Sequence, residues 1–342
     1  MLDFDKIKVY GRNGETACVA ADWTASGIEF SAECEGDIYI TVHTASAQKL
    51  YFSSFINGER KRLCAQDFPS TAACEYRIPI ATELKKGKYN IKFLRQSEAE
   101  RGPAEITDIE LCGVFLPRPA LRETLIEFIG DSITCGYANL ATCDMDPALC
   151  SESPYEDGTD AYAYLTAEAL NADFSILSRQ GTGIVAGWDY LTNPMGAIPK
   201  VYHLTSFYRG AAEYKPSRKA DIVVINLGTN DIYKFLSNER EPSLSQDDFI
   251  NTIYDFFCKI YDLNDSPRMV VAVGMMTNEQ NHAPLYRWYR EAIRRFKETR
   301  GEEILFCSLP ENYEGGKAHP AVVGHHAAAK VLTEFIKANI NI

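Results

Sequence analysis

The chain has 342 residues, with 35 Lys and Arg against 47 Asp and Glu for a formal charge of −12, and 46% hydrophobic and 24% charged residues. Such a composition describes a soluble globular protein of roughly two domains with enough residues for substantial cores. The acidic surplus would repel phosphate backbones and anionic lipid, so neither nucleic acid nor a membrane is expected as a partner. No apolar run approaches the roughly 20 residues that span a bilayer.

The first residues, Met1 to Lys6, carry neither a basic start nor an apolar stretch, so they do not read as a signal peptide. Ten cysteines are scattered with no Cys-x-x-Cys spacing, which speaks against zinc-site or thioredoxin-type motifs. Reduced thiols and a cytoplasmic location are the expectation.

Residues 1–118 alternate apolar and polar side chains in short runs: 37–43, 49–56, 89–95 and 106–111. Asn57-Gly58 reads as a hairpin turn and Lys86-Gly87-Lys88 as another turn. No long helical period interrupts them, so this part is expected to be an all-β, jelly-roll-like sandwich. Pro117-Arg118-Pro119 marks the boundary, because prolines cannot continue a central strand.

Residues 119–342 change texture. Apolar strands are expected at 124–129, 174–177, 222–227, 269–274 and 304–308, with helices at 161–170, 247–261, 283–299 and 321–338. Buried strands alternating with helices imply a doubly wound α/β domain around a parallel sheet. Ligands in such sheets lie beyond the carboxyl ends of the strands.

At those ends stand Gly130-Asp131-Ser132-Ile133-Thr134, Gln180-Gly181-Thr182, Gly228-Thr229-Asn230-Asp231 and Lys317-Ala318-His319-Pro320, the proline opening the last helix. A serine becomes nucleophilic when a neighbouring imidazole takes its proton. Fixed donors are then needed for the oxyanion of acyl transfer. The N–H groups of Ser132 and Gly181 and the Asn230 amide are candidates, with a glycine at 181 allowing close backbone approach. Asp131 is expected to brace its turn, since adjacent side chains diverge.

The four blocks in this order resemble the SGNH, or GDSL-type, hydrolases over residues 123–342. With the preceding sandwich and the strings Ile129-Gly130-Asp131-Ser132-Ile133-Thr134-Cys135-Gly136-Tyr137 and Ile225-Asn226-Leu227-Gly228-Thr229-Asn230-Asp231, the whole chain resembles carbohydrate esterase family 2. The resemblance implies a carbohydrate acetyl esterase without cofactor, acting on acetylated plant oligosaccharides of xylo or manno type. Ser132 would be the nucleophile, His319 the base, and Gly181 and Asn230 oxyanion donors.

One position departs from the pattern: where SGNH hydrolases carry an aspartate three residues before the histidine, this chain has Gly316. A main-chain carbonyl near Gly316, or the carboxylate of Glu311 or Glu314, is expected to orient the imidazole instead. The rivals to an acetyl esterase are a lipid or thioester hydrolase of the same fold and a non-catalytic carbohydrate-binding protein.

Other features are assigned more ordinary roles. Gly181-Thr182-Gly183-Ile184-Val185-Ala186-Gly187 mimics a dinucleotide fingerprint but is one residue too long and follows the wrong strand. Thr134 stands where a Gly-x-Ser-x-Gly elbow needs its second glycine. Trp188 and Tyr190, in a long punctuated segment, and Trp288, at helical spacing with Leu285, are candidate sugar-facing aromatics. Cys135 is read as packing, His325 and His326 as ordinary helix residues, and 141–158 as a surface insertion without an assigned role. No metal site is expected.

Overall fold

The structure is a computed structural model that describes residues 2–13, 17–66, 72–188, 196–208, 212–237 and 244–342. Its first part contains β1 (Ile7–Tyr10), β2 (Val19–Ala20), β3 (Gly27–Thr44), β4 (Tyr51–Ile56), β5 (Glu59–Cys64), β6 (Cys74–Arg95) and β7 (Ala104–Phe115). They pair antiparallel in the order β2-β7-β3-β6-β4-β5, with β1 against β3. Along β3 the even-numbered residues Ile28, Phe30, Ala32, Ile38, Ile40 and Val42 are buried, the period-2 signature of a one-sided sheet. Register shifts between Cys34 and Tyr39 bend the long β3–β6 ladder. Ile28 and Phe30 from one half and Ile40 and Val42 from the other therefore share a single core, and the sheet closes over itself as a sandwich.

Asn57 and Gly58 make the expected two-residue hairpin, with φ of +50° and +87° and Ile56 opposite Glu59. The turn expected at Lys86-Gly87-Lys88 does not form. Gly87 lies inside β6 opposite Cys34, and the continuous ladder with β3 satisfies the backbone groups that a turn would have exposed.

The second part holds a parallel sheet of β8 (Leu125–Gly130), β9 (Asp173–Ser178), β10 (Ile222–Asn226), β11 (Arg268–Gly274) and β12 (Leu305–Leu309), in the order β12-β11-β10-β8-β9. The strands are near-continuous apolar runs because both faces are covered. Val223, Ile225, Val271 and Val273 pack against α5 (Gln246–Leu263) and α6 (Ala283–Arg300). Ile126, Phe128, Val224 and Val270 pack against α2 (Tyr162–Ala169) and α7 (Val322–Asn339). Short helices α1 (Ser132–Cys135), α3 (Ile198–Val201) and α4 (Thr229–Leu236) complete the set of α-helices among the described residues. Pro320 precedes the first residue of α7 by two positions, so it stands ahead of the cap and does not open the helix itself.

From β8 the chain goes to β9 on one side and later to β10 on the other, so the strand order reverses at β8. A crevice is expected at such a reversal, outside the carboxyl ends of the strands. The sandwich is anchored to β8 and β9 of this sheet. Tyr10 stacks on Phe174 with ring centroids 4.5 Å apart, and buried Arg12 pairs with Glu127 at 2.9 Å. No helix among the described residues is long and apolar enough to cross a membrane.

Candidate active site

Ser132 begins α1 immediately after β8. Asp131 caps this turn, its carboxylate accepting the Ile133 N–H at 3.0 Å. Complete burial, with Asp231 nearby, pushes the Asp131 carboxyl up to about 7. This is the bracing role expected of Asp131.

His319 Nε2 lies 2.9 Å from Ser132 Oγ, and its Nδ1 lies 3.2 Å from the carbonyl oxygen of Lys317. A carbonyl can only accept, so the proton sits on Nδ1 and the Nε2 lone pair faces the serine. Two successive left-handed residues, Lys317 (φ +52°) and Ala318 (φ +56°), curl the chain so that this carbonyl meets the ring two residues on. The ring of Tyr137 packs edge-on against the imidazole, with centroids 4.9 Å apart. Desolvation by the surrounding protein disfavours the charged ring and pushes the His319 pKa down to about 4, with hydrogen bonds to the Lys317 and Gly316 carbonyls opposing the shift and the Lys317 charge adding to it.

The two carboxylates considered as alternatives are engaged elsewhere. Glu311 accepts from Asn278 Nδ2 at 2.8 Å and from the Tyr313 hydroxyl at 2.6 Å, and Glu314 accepts from Asn312 Nδ2 at 3.0 Å. A β-carbon on Gly316 would lie 2.7 Å from Cys150 Cβ and 2.8 Å from Ala141 Cβ. No side chain fits there. The 141–158 segment thus packs under the histidine loop, and the Cys143 N–H donates to the Glu314 carbonyl at 2.9 Å.

Gly181 has φ of +68°, which favours glycine, and the nearest atom to an added β-carbon would be Trp188 Cβ at an ordinary 3.7 Å. Among the protein's own atoms it is the backbone conformation that asks for glycine. Asn230 lies in the first turn of α4 and donates one amide hydrogen from Nδ2 to the Thr182 carbonyl at 2.7 Å. An amide nitrogen carries two hydrogens, so the second remains for another acceptor. The buried Asp231 carboxylate accepts the N–H groups of Ile184, Val185 and Ala186 at 2.8, 2.9 and 3.2 Å. The glycine-rich run that mimics a dinucleotide fingerprint is therefore a carboxylate-held turn.

Ser132, Gly181, Asn230 and His319 all line one cavity of about 730 Å³. A hydroxyl on a neutral imidazole, beside a left-handed glycine and a fixed carboxamide, has the parts needed for acyl transfer.

A family model described as GDSL-like lipase/acylhydrolase matches residues 126–332, more than half of the chain. The chain belongs to the GDSL-like lipase/acylhydrolase family. This GDSL-type chain is 25% identical over 260 residues to an acetylxylan esterase / glucomannan deacetylase of Cellvibrio japonicus, covering 73% of this chain and 67% of that one. An acetyl xylan esterase from the rumen bacterium Butyrivibrio proteoclasticus superposes with a TM-score of 0.84 at 24% identity, over 99% of this chain and 97% of that one. A family two carbohydrate esterase from Clostridium thermocellum, in complex with cellohexaose, superposes with a TM-score of 0.85 at 21% identity, over 98% and 99% of the two chains. The structural likeness establishes the fold of both parts together, and the neighbours are those that the motifs resemble.

The remaining residues of this GDSL-type chain separate cleanly. Trp188 is 68% exposed and lines the cavity. Tyr190 lies outside the described residues. Trp288 does not face the cavity: it is buried in the core between Phe235 and Phe249, because α6 turns its apolar stripe of Leu285, Trp288, Tyr289 and Ala292 inward. Cys135 is buried, and burial raises its thiol well above the ordinary range. His325 is buried and accepts the Tyr162 N–H at 3.2 Å, while His326 is exposed. Among the described residues no group of three or more His, Cys, Asp or Glu is placed to hold a metal ion.

Several further residues of the cavity lie outside the four sequence blocks. Tyr137, Tyr233 and Tyr313 line the cavity, as do Glu100 and Arg101 from the sandwich. Tyr233 follows Asn230 by three residues on α4, a spacing that helix geometry turns toward the same side. Glu100 and Arg101 have no such local signal, since another domain brings them there.

Proposed function

We propose that this protein is a serine esterase that removes O-acetyl groups from plant-derived oligosaccharides of xylo or manno type. Membership in the GDSL-type family, the acetylxylan esterase relatives and the family 2 neighbours support a carbohydrate acetyl esterase. The observation that carries the mechanism is the 2.9 Å contact between Ser132 Oγ and His319 Nε2, with Nδ1 turned to the Lys317 carbonyl.

In this reading His319 takes the Ser132 proton as Oγ bonds to the acetyl carbonyl carbon. The carbonyl electron pair moves to its oxygen, held by the N–H groups of Ser132 and Gly181 and the free hydrogen of the Asn230 amide. When the tetrahedral intermediate collapses, the C–O bond to the sugar breaks and the sugar oxygen leaves with the proton from His319. Water then adds to the acetyl-serine by the same steps and acetate is released. Replacing the triad aspartate by asparagine in Ser-His-Asp enzymes lowers turnover about 10⁴-fold because it imposes the wrong tautomer. A main-chain carbonyl imposes the right one, so the dyad keeps its geometry without a carboxylate. Exposed Trp188 offers a flat face on which a sugar ring can stack.

Acetate release from acetylated xylo- and manno-oligosaccharides tests this reading, with wild type beside Ser132→Ala and His319→Ala. Release abolished by both substitutions is the expected result. Sugar binding without release by the wild type would make this a binding protein, and a preference for longer acyl chains would point to a lipid or thioester hydrolase.

A further inference from the structure

We propose that Glu100, on the sandwich domain, is a positioning residue for the Gly181 N–H, acting through the side chains of Arg179 and Gln180; the proposal rests on the acyl-transfer reading of the site. Glu100 belongs to a short 3₁₀ turn, Ala99–Arg101, that joins β6 to β7 and forms one wall of the cavity. Its two carboxylate oxygens are divided between neighbours. Oε1 pairs with Arg179 Nη2, and Oε2 accepts from Gln180 Nε2.

Buried Glu98 on the same turn adds a backbone contact, its Oε2 accepting the Gln180 N–H at 3.4 Å. The turn is itself fixed, because Arg101 pairs with Glu156 at 2.8 Å and the Glu98 N–H donates to Glu156 at 3.1 Å. The two residues that lead into Gly181 are thus held by one domain. The residues that follow it are held by Asn230 and Asp231 of the other.

Glycine has the widest backbone freedom of any residue, so a glycine N–H is aimed only as well as its flanks are held. Oxyanion donors must be placed before charge develops. Glu100 supplies the flank on one side, which makes the sandwich a working part of the site.

The test compares wild type, Glu100→Ala and Glu100→Gln in hydrolysis of p-nitrophenyl acetate, with hydrogen exchange of the backbone around 179–183 followed in parallel. Loss of an aimed oxyanion donor predicts a kcat for Glu100→Ala lowered at least about tenfold with KM within about twofold, and partial rescue by Glu100→Gln, which keeps one acceptor oxygen. Faster exchange at 179–183 in Glu100→Ala is expected alongside. Unchanged kcat with unchanged exchange overturns the proposal, as does a loss of thermal stability with kcat intact. An inactive wild type would sink the acyl-transfer reading separately, and the exchange comparison would still decide whether Glu100 holds the loop. Should Glu100→Ala fail to fold, Glu100→Gln carries both measurements.

Discussion

Cys150 occupies the space that a side chain on residue 316 would need. Its Cβ would stand 2.7 Å, and its Sγ 3.0 Å, from a β-carbon on Gly316. Cys150 lies in the 141–158 segment and Gly316 on the loop before His319, so the segment and the missing carboxylate are two sides of one packing arrangement. Gly316→Asp should therefore not build a triad. Overpacking costs about 1–3 kcal/mol in typical cores, and here the strain falls on the loop that carries His319. The expected result is a lower midpoint in urea unfolding together with lower kcat. A gain in kcat would show that the segment yields.

The pH profile follows from His319. The imidazole acts as base only when neutral, and its pKa lies at about 4. The neutral fraction rises as pH increases through that value and is nearly complete by about pH 5, one unit above it. The acid limb of kcat/KM should thus bend near 4, with activity at pH 5 close to that at pH 7. An imidazole at the ordinary value of about 6.5 would instead lose about thirtyfold at pH 5. A bend near 6.5 would mean that solvent reaches the ring and that the site does not depress its pKa.

Trp188 and Trp288 should respond in opposite ways to the same truncation. Trp188→Ala removes an exposed ring at the cavity and is expected to raise KM for acetylated oligosaccharides about tenfold, as stacking worth about 1–1.5 kcal/mol would give, with little change toward p-nitrophenyl acetate. Trp288→Ala removes a core ring and is expected to cost about 3–5 kcal/mol of stability. Steady-state kinetics with both substrates and urea titration of both variants check this. A sugar-specific KM effect at Trp288 would contradict its buried position.

Asp231 holds the turn after Gly181 by accepting three backbone N–H groups. Asp231→Ala leaves those donors buried without that acceptor, at an expected cost of at least about 2–4 kcal/mol in urea unfolding. Turnover should fall as well, because Asn230 and Thr182 belong to the same arrangement. A variant with wild-type stability would mean that water or another acceptor replaces the carboxylate.

Much of this was legible locally. The parallel strands are apolar runs because both of their faces are covered. Ser132, Gly181 and Asn230 sit in short strings directly after three of those strands, and His319 follows β12 by ten residues. Hydrophobic period and strand-end position are properties of neighbouring residues, so they survive in the sequence. The Asn57-Gly58 hairpin is legible for the same reason. Lys86-Gly87-Lys88 misleads because the ladder partner, Cys34, is some fifty residues away and overrides a local turn preference.

The chain's own order of residues thus determined the two-part architecture, the family and the serine, glycine, asparagine and histidine that meet at one rim. Three-dimensional packing decided the rest. The orienting group for His319 is a main-chain carbonyl, which every residue possesses and which no sequence pattern distinguishes. It reaches the ring because Lys317 and Ala318 adopt left-handed conformations that neither residue type favours. Trp288 and Trp188 look alike as letters, and only the rotation of α6 about its axis sends one into the core while the other stays at the cavity. Glu100 reaches the cavity because the sandwich is docked beside it, a long-range contact made by folding and written in no local pattern.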